Sequence, residues 1–313
     1  MKLRTILAGT FVVGLTLAAC GSDDKSDSTT PATAATTAAA AATTTAASGG
    51  AATTAAGGSA PATGDSPTMA KAESRGHLVI GVKEDQPNLG YKDPTTGEYS
   101  GFDISMAELI AAKLGFTTDQ IEFQAIQSAN REQAIINGDI DYYVGTYSIT
   151  DKRKDQIGFA GPYFIAGQDL LVAKDDTTIT GPDTLTGKRV CSVTGSTPIQ
   201  KIKDEHPEAQ VVEFEKYSQC VDALLNGQAD AVTTDDAILL GYAAQQPDKL
   251  KVVGETFSTE KYGVGVAKDD TAFREKVNEI LEAAVADGEW KTIYDNTLGK
   301  SGSTATAPPL ERY

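Results

Sequence analysis

Ala134-Ile135-Ile136-Asn137-Gly138-Asp139-Ile140-Asp141, continuing as Tyr142-Tyr143-Val144-Gly145-Thr146, is echoed by Ala223-Leu224-Leu225-Asn226-Gly227-Gln228-Ala229-Asp230 and Ala231-Val232-Thr233-Thr234-Asp235. Each copy reads as the end of a helix, an Asn-Gly stop, and an apolar strand that carries an Asp and ends in small polar residues. In open α/β sheets ligands bind beyond the carboxyl ends of strands. Two such ends, one per lobe, can face each other across a cleft. The same helix, turn and strand grammar occurs in any α/β protein, so the echo alone leaves repeat and coincidence both open.

The flanking sequence supports α/β layering. Leu78-Val79-Ile80-Gly81-Val82 is a continuous apolar run bounded by turn formers, which suits a buried strand of a parallel sheet. From Phe102 to Leu114 apolar residues recur at helical spacing (Ile104, Ala107, Leu109, Ile110, Leu114), and Gly115 closes the helix. Ile121-Glu122-Phe123 follows as a short strand. The alternation argues for one layered α/β region from about Ser74 to Gly299.

The chain has 313 residues with 43 acidic against 27 basic side chains, a formal charge of −16. A nucleic-acid binder needs a cationic surface, so that class is excluded. His77 and His206 are the only histidines, and the cysteines number three, which speaks against a His-rich zinc site and most His-based catalysis. No catalytic group, metal or cofactor is expected.

Residues 1–19 read as a signal peptide: Lys2 and Arg4 form a basic head, and Ile6 to Ala19 form an apolar run too short to span a bilayer comfortably. The ending Leu17-Ala18-Ala19-Cys20-Gly21 resembles the lipobox of bacterial lipoproteins, in which the cysteine is diacylated after cleavage. Lipid on Cys20 anchors a protein by acyl burial at the outer face of the cell membrane. Residues 20–70 are almost all Ala, Thr, Ser, Gly and Pro, so little apolar burial offsets the entropy of ordering. A disordered stalk is expected there. The remaining pair, Cys191 and Cys220, is expected to form a disulfide outside the membrane, closing a loop of about 30 residues worth roughly 3–4 kcal/mol in the chain-entropy model.

The segment Gly138 to Phe164, with Asp139-Ile140-Asp141-Tyr142-Tyr143-Val144-Gly145-Thr146-Tyr147-Ser148-Ile149-Thr150-Asp151-Lys152-Arg153 and then Phe159-Ala160-Gly161-Pro162-Tyr163-Phe164, resembles the family 3 extracellular solute-binding proteins, the polar amino-acid receptors of ABC importers. Gly101-Phe102-Asp103-Ile104, Gly187 to Thr197 and Ala229 to Asp236 agree in order and spacing. The Cys191/Cys220 pair and Gly195-Ser196-Thr197-Pro198 resemble the glutamate-binding lipoproteins of actinobacteria in particular. The resemblance implies an α/β, two-lobed, periplasmic-binding-protein-like fold (type II, Venus flytrap) with two hinge crossovers. Lobe 1 would take about 74–168 and 260–299, lobe 2 about 172–256, and 300–313 would be a C-terminal tail. The hinges would lie near Gly167-Gln168-Asp169-Leu170 and Thr256-Phe257-Ser258-Thr259.

A zwitterion closed into such a cleft needs a partner for each charge. The resemblance puts Arg153 on the ligand's α-carboxylate, a group that a guanidinium grips bidentately. Backbone N–H groups of Ser196 and Thr197 at a helix start, with Ser148, would assist. The α-ammonium would meet Asp235, the Thr146 carbonyl and the Ser148 hydroxyl. Asp236 is the competitor for the Asp235 role, although neighbours on an extended chain point opposite ways. Lys83 and Arg131 supply positive charge for the ligand's side chain, which implies glutamate or aspartate, and Tyr147 adds packing or a hydroxyl contact. The expectation is a monomeric, lipid-anchored, extracytoplasmic receptor that delivers an acidic amino acid to an ABC permease. A sensor reporting to a membrane kinase and a prephenate- or arogenate-dehydratase-type enzyme on the same fold are the alternatives.

Overall fold

The computed structural model describes residues 65–301 and 304–313. The expected signal peptide, lipidated Cys20 and most of the expected stalk lie outside these residues. The first element, α1 (Pro67–Arg75), begins inside the span expected as stalk and ahead of Ser74. Ser66 Oγ caps it by accepting from Met69 N (3.1 Å), Pro67 opens the first turn, and Gly76 closes it at φ 82°. The cap is itself held by tertiary structure. Asp270 Oδ2 accepts from Ser66 Oγ (2.7 Å) and Thr68 N (2.9 Å), and Met69 and Ala72 are buried. Composition concealed this helix because its partner lies some two hundred residues away.

Lobe 1 continues through β1 (Leu78–Val82), the small meander β2 (Asp85–Gln86), β3 (Gly90–Lys92) and β4 (Tyr99–Ser100), then α2 (Phe102–Lys113), β5 (Ile121–Ala125), α3 (Arg131–Asn137), β6 (Tyr142–Tyr143), α4 (Asp151–Lys154) and β7 (Gly158–Ala166). Lobe 2 holds β8 (Gln168–Ala173), β9 (Arg189–Val193), α5 (Thr197–Glu205), β10 (Gln210–Phe214), α6 (Tyr217–Leu225), β11 (Ala231–Asp235), α7 (Asp236–Gln245) and β12 (Leu250–Val252). The chain then returns to lobe 1 as β13 (Glu260–Val266), α8 (Thr271–Ala286) and α9 (Glu289–Asn296).

The two sheets share one plan. Their orders are β5-β1-β6-β13-β7 and β10-β9-β11-β8-β12. β1 runs parallel to β5 and β6, and β9 to β10 and β11, whereas β13 and β8 are antiparallel to both neighbours. The echoed strands β6 and β11 hold the same central place in each sheet. All five residues of β1 are buried, as a two-sided parallel strand requires. A disulfide joins Cys191 on β9 to Cys220 on α6.

The echo extends to side-chain chemistry. Gly138 and Gly227 both end their helices at φ 69°. Asp141 Oδ2 accepts from Val79 N at the start of β1 (2.7 Å) and pairs with Arg75. Asp230 Oδ2 accepts from Arg189 N at the start of β9 (2.8 Å), and its Oδ1 pairs with the Arg189 guanidinium (2.6 Å).

The chain crosses between sheets at Gly167 and again over 253–259. Residues 168–171, expected partly as hinge and partly as lobe 1, are instead paired with β11 from the outset, Gln168 opposite Asp235 and Leu171 opposite Val232. Gly167 carries the turn, where a Cβ would meet Thr256 Cβ at 2.8 Å. The crossovers are tied together: Phe257 N donates to the Gln168 carbonyl (2.9 Å), and Gln168 N donates to Ser258 Oγ (3.0 Å). Residues 304–313 lie on lobe 1, where Ala305, Ala307 and Leu310 pack on its core and Glu311 N donates to the Gly161 carbonyl (2.9 Å).

Candidate functional site

Beyond the ends of β6 and β11 the lobes close over a narrow polar pocket. Ser128, Arg131, Thr146 and Arg153 line it from lobe 1, and Ser196, Thr197, Pro198, Tyr217, Asp235 and Ile238 from lobe 2. The lobes touch on both sides of it. Ser148 Oγ meets Thr197 Oγ1 at 3.2 Å, and Lys216 Nζ pairs with Glu84 Oε1 at 2.6 Å. Six of the residues predicted from sequence therefore converge: Arg131, Thr146, Arg153, Ser196, Thr197 and Asp235. Ser148 stands just behind Thr197. Lys83 and Tyr147 do not line the cavity.

Lobe 1 presents cations. α4 is a single turn capped by Thr150, and it carries Arg153 inward rather than leaving it on the surface. Arg153 Nη1 donates to the Ser148 carbonyl (2.7 Å), Nη2 to the Gly195 carbonyl of lobe 2 (3.2 Å), and Nε pairs with Glu132 (3.2 Å). Tyr147 lies beneath: the Arg131 and Arg153 Cζ atoms stand 4.2 and 4.9 Å from its ring centroid. A buried ring face attracts both guanidinium groups and fixes their spacing. Arg131 is 2% exposed, donates from Nε to the Ser128 carbonyl (3.2 Å), and has no ion pair among the described residues. Behind Ser128, Lys83 donates to Ser128 Oγ (2.8 Å) and the Ile126 carbonyl (3.3 Å). Burial, with the Arg131 charge in support, pulls the Lys83 ammonium down to about 7. Burial, again aided by Arg131, lowers Arg153 to about 10.

Lobe 2 presents a helix start and a carboxylate. Gly195 turns at φ 79°, and Ser196 Oγ caps α5 by accepting from Ile199 N (3.3 Å). The Ser196 N–H, expected to face the cleft, donates to the Val193 carbonyl (3.1 Å) because the turn is that tight. Thr197 N–H has no backbone acceptor among the described residues and is the remaining donor at the positive end of the helix. Asp235 is 3% exposed; its Oδ2 accepts from the Tyr262 hydroxyl (2.6 Å) and its Oδ1 has no hydrogen-bond partner. Burial, then the charge of Glu260, pushes its carboxyl up to about 8. Asp236 is engaged elsewhere, accepting from Gly167 N (3.2 Å) and Ala237 N (2.8 Å) at the crossover. Across the cavity Thr146 sits at φ 46°, a left-handed conformation uncommon outside glycine. Asp103 holds it there, its Oδ2 accepting from Thr146 N (2.9 Å) and its Oδ1 from Tyr163 Oη (2.7 Å).

Sequence reading missed Ser128, Tyr217, Tyr262, Asp103 and Glu260. Asp103 lay within a quoted motif, and its burial at a helix start was the available signal. Tyr262 and Glu260 return from the far end of the chain, and no local pattern marks them. Tyr147 was expected to touch ligand, but its ring lies under Arg131 and Arg153 and packs on Phe159, while Thr146 lines the cavity. Among the described residues no group of three or more His, Cys, Asp and Glu side chains is placed to hold a metal ion. The arrangement instead sets donors and a partnerless carboxylate oxygen around a small polar space, the layout of a site for a ligand carrying both signs of charge.

A crossover-linked pair of sheets with that cavity between them defines a two-lobed solute receptor. The chain belongs to the bacterial extracellular solute-binding proteins, family 3, whose model matches residues 78–300. It is similar to the glutamate-binding protein GluB of Corynebacterium efficiens, 41% identical over 239 residues, covering 73% of this chain and 81% of that protein. It is also similar to the glutamine-binding protein of Geobacillus stearothermophilus, 43% identical over 202 residues, covering 64% of this chain and 77% of that one. Among solved structures, an ancestral arginine-binding protein bound to arginine matches with a TM-score of 0.67 and 38% identity, covering 71% of this chain and 98% of that one. All three are named as binding proteins, not enzymes.

Proposed function

We propose that the protein is the receptor of an amino-acid ABC importer, anchored through lipid on Cys20, and that its ligand is an acidic amino acid, glutamate or aspartate. One observation carries the acidic reading: buried Arg131 has no carboxylate partner and faces the same small cavity as the partnerless Asp235 oxygen. A ligand with two carboxylates and one ammonium supplies both missing partners. In this reading Arg153 and Thr197 N–H hold the α-carboxylate, Asp235 and the Thr146 carbonyl hold the α-ammonium, and Arg131 receives the distal carboxylate. Lys83 acts through Ser128 rather than by contact. Closure desolvates these pairs together, and lobe 2 adds its contacts only when the lobes meet.

Relatives named for glutamine and arginine make the amide and the cation the rivals to test. Thermal midpoints of the full chain are measured with each of the twenty amino acids, since a ligand that binds only the folded state raises the midpoint. Glutamate and aspartate are expected to give the largest rises. Arg131→Ala is expected to weaken glutamate about tenfold or more while leaving glutamine within about threefold, a difference of roughly 1–2 kcal/mol typical of one charge-assisted hydrogen bond. Equal losses for both would assign Arg131 to the fold or to the α-groups.

A further inference from the structure

Glu260 opens β13 and is 8% exposed, yet among the described residues no cation pairs with it. Its Oε2 accepts from Thr197 Oγ1 across the cleft (3.1 Å), and its Oε1 accepts from Ser258 Oγ (2.8 Å), the hydroxyl that also receives Gln168 N at the first crossover. Two residues along the same strand, and so on the same face, Tyr262 reaches Asp235. Two buried carboxylates, one on each lobe, thus sit at the cleft: Asp235 lines the cavity, and Glu260 stands behind Thr197, which lines it. Each is met only by hydroxyl groups, and the nearby Arg153 is engaged by Ser148, Gly195 and Glu132. Like charges placed together in a dry site require a cation or a proton between them.

We propose that Glu260 is a specificity-determining residue. Its charge, carried on the strand whose Tyr262 bonds Asp235, makes the closed cleft demand a positively charged group, and its hold on Thr197 ties that demand to the helix start that receives the ligand carboxylate. The proposal deepens the amino-acid reading above and rests on it. Without ligand a proton on Asp235 relieves the pair, in keeping with its raised carboxyl. An α-ammonium replaces that proton, whereas a dicarboxylate of the same length without the amine leaves the two acids uncompensated.

The test is a pair of calorimetric titrations on the full chain, L-glutamate against glutarate, for the native protein and Glu260→Gln. The native protein is expected to favour glutamate by at least a hundredfold. In Glu260→Gln that preference is expected to shrink at least tenfold, with the ligand-free thermal midpoint held within a few degrees. An unchanged preference in a folded variant overturns the proposal and leaves ammonium recognition to Asp235. If the thermal screen identifies a different amino acid, the acidic reading fails but the same comparison is made between that amino acid and its analogue lacking the α-amine, and Glu260 is judged on that ratio. If none of the twenty binds, both readings fall. Should Glu260→Gln not fold, Glu260→Ala is read by the same ratio.

Discussion

In lobe 1 the echoed strand stops after Tyr142 and Tyr143 and gives way to a turn with Thr146 in the left-handed region. In lobe 2 the matching strand runs its full five residues and delivers Asp235. Up to that point the copies are nearly the same: a helix ended by glycine at φ 69°, then an aspartate that caps the neighbouring strand and pairs with an arginine. The shared half is structural, since Asp141 and Asp230 fasten β1 and β9 to the sheet centres. The divergent half is the site. Lobe 1 diverges toward cations, Arg131 and Arg153 stacked on Tyr147, and lobe 2 toward a helix start and a lone carboxylate. A shared scaffold therefore does not fix a shared chemistry; the residues just past the strand ends give each lobe its sign.

The sharpest way to break this division of labour is Arg153→Ala. Truncating one member of a buried charge pair costs about 2–5 kcal/mol in binding, so amino-acid affinity is expected to fall about thirtyfold or more. Its loss also releases the Ser148 and Gly195 carbonyls, Glu132 and the Tyr147 ring, so the ligand-free midpoint is expected to drop by several degrees as well. Binding within tenfold of native would show that lobe 1 does not supply the main anchor.

Gly195→Ala probes the meeting of the lobes instead of either one. A Cβ there would lie 2.7 Å from Ala129 Cα of lobe 1, and the residue sits at φ 79°. Closure should become unfavourable by about 1–3 kcal/mol, the usual scale of overpacking, and affinity should fall about tenfold. Scattering at saturating ligand should then report a larger radius of gyration than for the native protein. An identical radius would mean that the Gly195–Ala129 approach does not limit closure.

The smallest effect sharpens lobe 2's part. Burial, then the Glu260 charge, raises the Asp235 carboxyl from the ordinary carboxylate range to about 8, so the ligand-free protein is expected to hold its proton at pH 7. That contribution to folded stability is fully present below the unfolded pKa and is lost as pH rises through about 8. An arriving ammonium favours the ionised form, so binding near pH 7 is expected to release close to one proton, and affinity to rise between pH 6 and 8. Calorimetry in two buffers of different ionisation enthalpy measures the release. Asp235→Asn should abolish it, and a native value near zero would show that the ammonium is held elsewhere.

Much of this was legible in the chain. The apolar run at β1, the helix closed by Gly115, the Asn-Gly stops and the cysteine pair each follow from local chemistry that the fold leaves undisturbed. Arg153 is different in kind. It stands among Lys152, Lys154 and Asp155 and looks like solvated charge, and only its resemblance to a family position singled it out. What stayed hidden depends on chain returning from far away or on the pitch of a turn. Glu260 and Tyr262 come through the second crossover to bond Thr197 and Asp235, which line the cavity, Ser196 loses its N–H to Val193 because Gly195 turns so tightly, and the Ser66 cap of α1 is held by Asp270.

That cap has a mechanical corollary. Helix α1, through Asp270, and residues 304–313, through Gly161, both grip lobe 1, while the chain joins lobe 2 to it only through Gly167 and the strip 253–259. A pull transmitted along the chain ahead of Pro67 is borne by lobe 1 and bypasses the crossovers. Under the proposed anchoring through Cys20, lobe 1 would be the stationary jaw, and lobe 2 would be the one free to swing.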